Sequence, residues 1–242
     1  MLASELARAE RPALKSIILQ AFAVCLYLFP TELLTVLEEQ QKTKDVFVAW
    51  FTAMDSFKKD LELQRSILGL SSIFKLDVRA LPETLRSGLQ LIMNKLVAIC
   101  ELDVKQRKEE ESDEEDEGGE GKAKGKGGEK GMNEGPDEGE GEWEEEEDEE
   151  DDSSYSEGED DDWNGGYMLL YDSPLEAMDE IMHLRTVLNE LAQRDNEAYL
   201  HVLGLLSEEE RTKLEAALVE GERLYHRDQA ARESVKKAKQ EN

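Results

Sequence analysis

Residues 109–162 carry 29 Asp and Glu against 4 Lys and Arg, and no fold buries charge at that density. The segment holds −25 of the chain's formal −29, with 11 glycines and only Ala123, Met132, Trp143 and Tyr155 as apolar residues. It cannot bury enough apolar surface to offset chain entropy, so disorder, extended by self-repulsion, is expected there. The other 188 residues are roughly 48% apolar, within the range of globular domains. The chain therefore divides into a folded part over 1–108, an acidic loop over 109–166 and a second folded part over 167–242.

The charge balance excludes several functional classes. Phosphate backbones are met first by clustered Lys and Arg, and only the mixed-charge helix end at 223–239 is basic here, so the natural partner is a basic protein and not a nucleic acid. The longest apolar stretch, Ile17–Phe29, is 13 residues including Gln20, too short to cross a bilayer. Glu5 and Glu10 before it, and Pro30-Thr31-Glu32 after it, do not fit a secretion signal. A cytosolic or nuclear protein is expected, with Cys25 and Cys100, both in apolar helical patterns, as reduced thiols.

Apolar residues recur by threes and fours throughout both folded parts, and strand alternation is absent. Pro12–Phe29 is apolar nearly all round: Leu14, Ile17, Ile18, Ala21, Val24, Cys25 and Leu28 form one stripe, and Leu19, Phe22, Leu26 and Phe29 lie beside it. Such a helix is expected to be buried between neighbours. Pro30 ends it, and Thr31, Leu33, Leu34 and Leu37 open the next. Val46, Phe47, Trp50, Met54 and Phe57 mark another helix, and Leu63, Ile67, Leu70 and Phe74 its expected partner. From Pro82, Leu85, Leu89, Ile92, Leu96 and Ile99 carry a helix expected to dissolve in Lys105-Gln106-Arg107-Lys108. Beyond the acidic run, Ser173-Pro174-Leu175-Glu176 reads as a helix start with a capping box, followed by Met178, Met182, Leu184, Leu188 and Leu191. A short helix over Tyr199, Val202, Leu203 and Leu206 precedes a second capping box, Ser207-Glu208-Glu209-Glu210, and a long helix with Leu214, Leu218 and Tyr225. Four hairpins result, 13–41, 45–76, 82–193 and 196–237. The first three begin about 32 and 37 residues apart, as in stacked pairs of HEAT type. The expected fold is all-α, an α-solenoid interrupted by the acidic insertion.

Signals of catalysis are weak. His183, His201 and His226 have no metal-ligand spacing, and the Gly- and Lys-rich stretch from Gly118 to Gly131 lacks the pattern of a phosphate-binding loop. Asp160-Asp161-Asp162-Trp163-Asn164-Gly165 matches half of a calcium loop, but Tyr171 stands where a bidentate Glu should close it. The reading is a binding protein, not an enzyme, with no cofactor and no resident metal. Its candidate site is the densest acidic run, Glu144, Glu145, Glu146, Glu147, Asp148, Glu149, Glu150, Asp151 and Asp152, facing Lys- and Arg-rich partners. Trp143, Tyr155 and Trp163 could add cation–π contacts. Ser112, Ser154 and Ser156 each have an acidic residue three positions on, which suits an acidophilic kinase.

Trp50 to Leu76, with Phe57-Lys58, Asp60-Leu61 and Ile67-Leu68-Gly69-Leu70, resembles the closing HEAT repeats of the importin-beta superfamily. An acidic tract, then Tyr171-Asp172-Ser173-Pro174-Leu175-Glu176, a helix, Tyr199, Leu203 and the Leu206-Ser207-Glu208-Glu209-Glu210 turn is similar in order and spacing to the C-terminus of its importin seven and importin eight branch. The resemblance spans most of the chain but only the last quarter or so of such a receptor. It implies nuclear import of basic cargo such as ribosomal proteins and histones, passage of the pore by contact with Phe-Gly nucleoporins, and residence in cytoplasm, nucleus and nuclear envelope. The family's main Ran-GTP surface lies in N-terminal repeats that this chain does not contain. It is accordingly expected to be a fragment of a longer receptor that does not bind Ran-GTP alone, with an unpaired apolar face on its first long helix. An acidic chaperone that shields histones or ribosomal proteins without transport is the alternative.

Overall fold

The computed structural model describes residues 2–117, Leu175 and 178–240, with the backbone alone for 112–117, 235 and 238–240. Among the described residues every regular element is a helix. In chain order they are α1 (Leu2–Arg8), α2 (Pro12–Leu28), α3 (Pro30–Glu39), α4 (Thr43–Met54), α5 (Asp60–Ser72), α6 (Glu83–Glu117), α7 (Glu180–Arg194), α8 (Asn196–Gly204) and α9 (Glu208–Gln240), with two 3-10 turns between α5 and α6. Proline stands at the first position of α2 and α3, where its missing N–H is not needed. The second capping box forms as expected: Glu210 N donates to Ser207 Oγ at 3.2 Å and Ser207 N to Glu210 Oε2 at 2.8 Å.

The long helices lie in two rows, α2–α5–α7 and α4–α6–α9, and α5 packs against α6 and α7 against α9 across the rows. Neighbours within a row run parallel in steady register. Ser16 meets Glu62, Gln20 meets Arg65 and Ala23 meets Gly69 between α2 and α5. Glu101, Lys108 and Glu111 of α6 meet Lys213, Glu220 and Arg223 of α9, each pair 112 positions apart. Between rows the sense reverses: α6 starts after the short link from the end of α5, yet its Gln106 side chain donates to Lys58 O just ahead of α5.

This pairing differs from the hairpins expected from chain order. The antiparallel partner of α5 is α6, not α4, and α7 packs on α8 and α9 instead of closing a hairpin with α6. The reason lies in α5 itself. Ser66, Ile67, Leu68, Gly69, Leu70, Ser71 and Ser72 are all buried, so the second half of the helix is enclosed on every side and takes neighbours from both rows. Gly69 permits the closest crossing, since a Cβ there would stand 2.7 Å from Ala23 O, a backbone atom that cannot yield. Inside this core the Trp50 indole N–H is satisfied by Ser66 Oγ at 3.2 Å.

The all-round burial expected of α2 is corrected. Its buried side is Ile18, Leu19, Phe22, Ala23 and Leu26, whereas Leu14, Ile17 and Leu28 are 47, 60 and 53% exposed and Val24 and Cys25 half-buried. The buried side packs on α5, and α1, α3 and α4 also lie against the helix. Two boundaries are also corrected. α6 does not dissolve at Lys105–Lys108 but runs to Glu117, and α7 starts at Glu180, with Asp179 rather than Ser173 as its cap. Ser173, Pro174 and Glu176 lie outside the described residues, and Leu175 and Met178 precede the helix.

Candidate functional site

The acidic segment departs from the end of α6 and returns to the start of α7, and both points lie against α9. Helix α6 enters the acidic run because α9 supplies the counter-charge. Arg223 places Nη1 and Nη2 at 3.0 and 2.5 Å from the two Glu111 oxygens, and Arg227 lies 3.2 Å from the same carboxylate. The hydrogen bond from Arg223, reinforced by Arg227, holds the Glu111 carboxyl down to about 2. Lys108 meets Glu220 at 3.1 Å on the same seam. At the return, Gln64 Nε2 donates to Leu175 O at 3.2 Å and Met178 O at 3.0 Å, and Asp179 caps α7 by accepting from Met182 N at 2.8 Å.

Between the two seams Arg107 is ringed by carboxylates from three helices. Its guanidinium lies 3.0 Å from Asp179, 3.4 Å from Asp228, 3.6 Å from Glu180 and 3.8 Å from Asp103, with Asp103, Asp179 and Glu180 all at least nine-tenths buried at the side chain. One cation does not balance the three buried carboxylates, while Asp228, about one-third exposed, is also paired with Arg227. Burial, with the Glu180 carboxylate beside it, raises Asp103 to about 9, and burial followed by Asp179 raises Glu180. At neutral pH the Asp103–Glu180 pair therefore retains a proton. The cluster ties α6 to α7 and α9 across the insertion, so that the folded parts on either side of it share one core. Sequence reasoning missed it by treating Lys105–Lys108 as a fading helix end. The available signal was Asp103 and Arg107, one turn apart on the line extended from Ile99.

The sequence-predicted partner residues Glu144 to Asp152, Ser154 and Ser156, and the half calcium loop at Asp160–Gly165, lie outside the described residues; Ser112 is on α6 next to Glu111. The histidines are dispersed. His183 packs edge-on to Tyr27 at 5.2 Å, and burial followed by the Lys75 charge lowers it to about 4, while His201 and His226 are exposed. Cys25 and Cys100 are free thiols. Among the described residues no group of His, Cys, Asp and Glu is arranged to hold a metal ion, and no helix is long and apolar enough to cross a membrane.

A second feature is apolar. Between α4 and α6 a groove of about 430 Å3 is lined by Phe47, Val48, Phe51, Leu85, Leu91 and Ile92, with empty space beside Gly88. Val48 and Leu91 stand half-exposed at its rim. Comparison with protein-family models, with curated proteins and with solved structures finds no match to this chain.

Proposed function

We propose that this chain is the C-terminal, cargo-binding part of a nuclear import receptor of the importin-beta type, carrying basic proteins on a polyanionic loop held by a HEAT-like solenoid. The observation that carries the reading is the −25 charge segment 109–162, which begins on the last turns of α6 and ends ahead of α7, two helices of one packed body, with its start held by α9 and its return held by α5. A linker between independent domains has no need of a shared core, whereas a polyanion fixed beside a helical surface concentrates basic partners there. Parallel neighbours within a row and antiparallel neighbours across rows support stacked helix pairs. The groove between α4 and α6 is the natural seat for a Phe side chain of a Phe-Gly repeat.

The test has two arms. A lysine-rich histone or ribosomal-protein peptide should bind with an affinity that falls steeply as salt rises, since exposed charges are screened beyond about 8–10 Å. Changing Glu144 to Asp152 to Gln and Asn should slow association far more than it speeds release. Immobilised Phe-Gly repeats should retain the chain, and Val48→Glu with Leu91→Glu should abolish retention. Basic-peptide binding without Phe-Gly binding would leave the acidic chaperone as the function. No salt-sensitive binding of basic peptides would reject both readings. Ran-GTP should not be captured by this chain.

A further inference from the structure

One stripe of α2 stays open although the helix has neighbours on its other sides. Leu14, Ile17, Ala21, Val24 and Leu28 follow one another at intervals of 3, 4, 3 and 4 residues, the spacing that keeps side chains on one helix face. No charged residue falls on that stripe along the 17 residues of α2, about 25 Å of helix. Leu14, Ile17 and Leu28 are about half exposed or more and Ala21 and Val24 half-buried, whereas the opposite side, through Leu19, Ala23 and Leu26, is closed by α5. α2 is the end helix of its row, so the open stripe faces the place where a further helix of the row would stand. Single exposed apolar residues are ordinary on protein surfaces, but a continuous uncharged stripe of this length marks a contact surface.

We infer that this stripe is a self-association surface, on which a second copy of the chain lays the same stripe antiparallel about a two-fold axis. The alternating 3 and 4 spacing is that of a helix-pairing seam, and its lack of charge selects a partner equally free of charge there. A second copy meets that condition, because an isologous contact sets one patch against itself. Antiparallel pairing puts Ile17 and Leu28 in the two outer layers and Ala21 and Val24 in the two inner ones, and the small Ala21 lets the helix axes approach at the centre. Charge fixes the sense. Arg11, the N-cap of α2, and Glu32, in the first turn of α3 just past the other end, are both exposed. Antiparallel copies bring these opposite charges level, parallel copies would bring like charges level, and the helix dipoles favour the same choice. With Phe29 exposed at its end, the stripe presents roughly 500 Å2 from each copy, so a pair buries on the order of 1,000 Å2, the lower limit of a specific interface. The association opposes repulsion between two chains of net charge −29, which sets it in a weak range, on the order of tens of micromolar.

The experiment is sedimentation equilibrium of the whole chain under reducing conditions, from about 2 to about 300 µM, a range that brackets the expected dissociation constant. The mass should rise with concentration from 27.5 kDa toward twice that value. Added salt should strengthen the pairing by screening the repulsion, the opposite of its effect on a basic partner, so self-association is read independently of cargo binding. Ile17→Glu with Leu28→Glu should weaken the pairing at least about tenfold, and circular dichroism and the urea midpoint should stay nearly unchanged because both side chains are at least half exposed. Arg11→Glu and Glu32→Arg should each weaken it, and the two together should restore it, which a merely sticky apolar patch would not do. A constant monomeric mass overturns the pairing and leaves the face to a helix of another chain. A dimer that survives Ile17→Glu with Leu28→Glu overturns the assigned surface, and failure of the charge swap to restore the pairing overturns the antiparallel arrangement.

Discussion

Asp103 titrates in a place where either of its states matters. Its folded pKa lies well above the ordinary carboxylate value, so between about pH 4 and about pH 9 the folded state holds a proton that the unfolded state has lost, and stability falls as pH rises through that range. Asp103→Asn retains a donor toward Glu180 and removes the titration. It should raise the unfolding midpoint at pH 8 by about 2–8 °C, from about 1–2 kcal/mol, and by a smaller amount at pH 5, as calorimetry would show. His183 works on the acid side: its folded pKa is about 4 against 6.5 in the unfolded chain, so its contribution is complete above 6.5 and is lost as pH falls toward 4. Glycines give a second contrast. A Cβ at Gly69 meets the Ala23 backbone at 2.7 Å, so Gly69→Ala should cost about 1–3 kcal/mol in urea unfolding. Gly88 has nothing within 4 Å on a helix, and Gly88→Ala should stabilise by about 0.5–1 kcal/mol. Neither difference is visible in the letters, because a glycine's environment is set by what crosses it.

Helix α2 shows how far periodicity reaches. Both of its apolar stripes are present in the sequence, and periodicity alone does not rank them. The structure buries the one through Leu19 and Phe22, since that side meets α5 in register, and leaves Ile17 and Leu28 outward. Ile17→Asp should therefore keep soluble, cooperatively unfolding protein, while Leu19→Asp, at 1% exposure, places a charge in the core at a cost of several kcal/mol and should abolish it. Equal tolerance at the two positions, measured as soluble yield and circular dichroism, would mean the packed side is wrongly identified. In α4, α5 and α6 the stripes named from spacing alone are buried, from Val46 to Met54, Leu63 to Leu70 and Leu85 to Ile99. Helix ends were harder to read. Ser207 and Glu210 declare theirs locally, but α6 continues to Glu117 because Arg223 and Arg227, more than a hundred residues away, neutralise Glu111.

At the scale of the whole molecule, the acidic segment and the helical body can be separated by experiment. Replacing 118–162 with a short Gly/Ser linker should leave the melting temperature nearly unchanged, because both anchor points stay in place. Extending the replacement to 109–162 removes Glu111 and the last turns of α6. That loss should lower the melting temperature only slightly, since the pairs are largely solvent-screened. A large loss of cooperativity with the shorter replacement would show that the body depends on the segment. The sequence by itself determined the all-helical class, the apolar stripes of most helices, the proline and Ser207 starts, and the location of nearly all the excess charge. Each of these follows from local spacing, local backbone chemistry or composition, and none needs a distant partner. Tertiary structure alone decided that the second half of α5, and not α2, is enclosed on all sides, that α5 pairs with α6, and that Arg107 gathers Asp103, Asp179, Glu180 and Asp228 from three helices. Those outcomes rest on which surfaces meet once parallel neighbours lock into register, and residues 112 positions apart carry no local mark of one another.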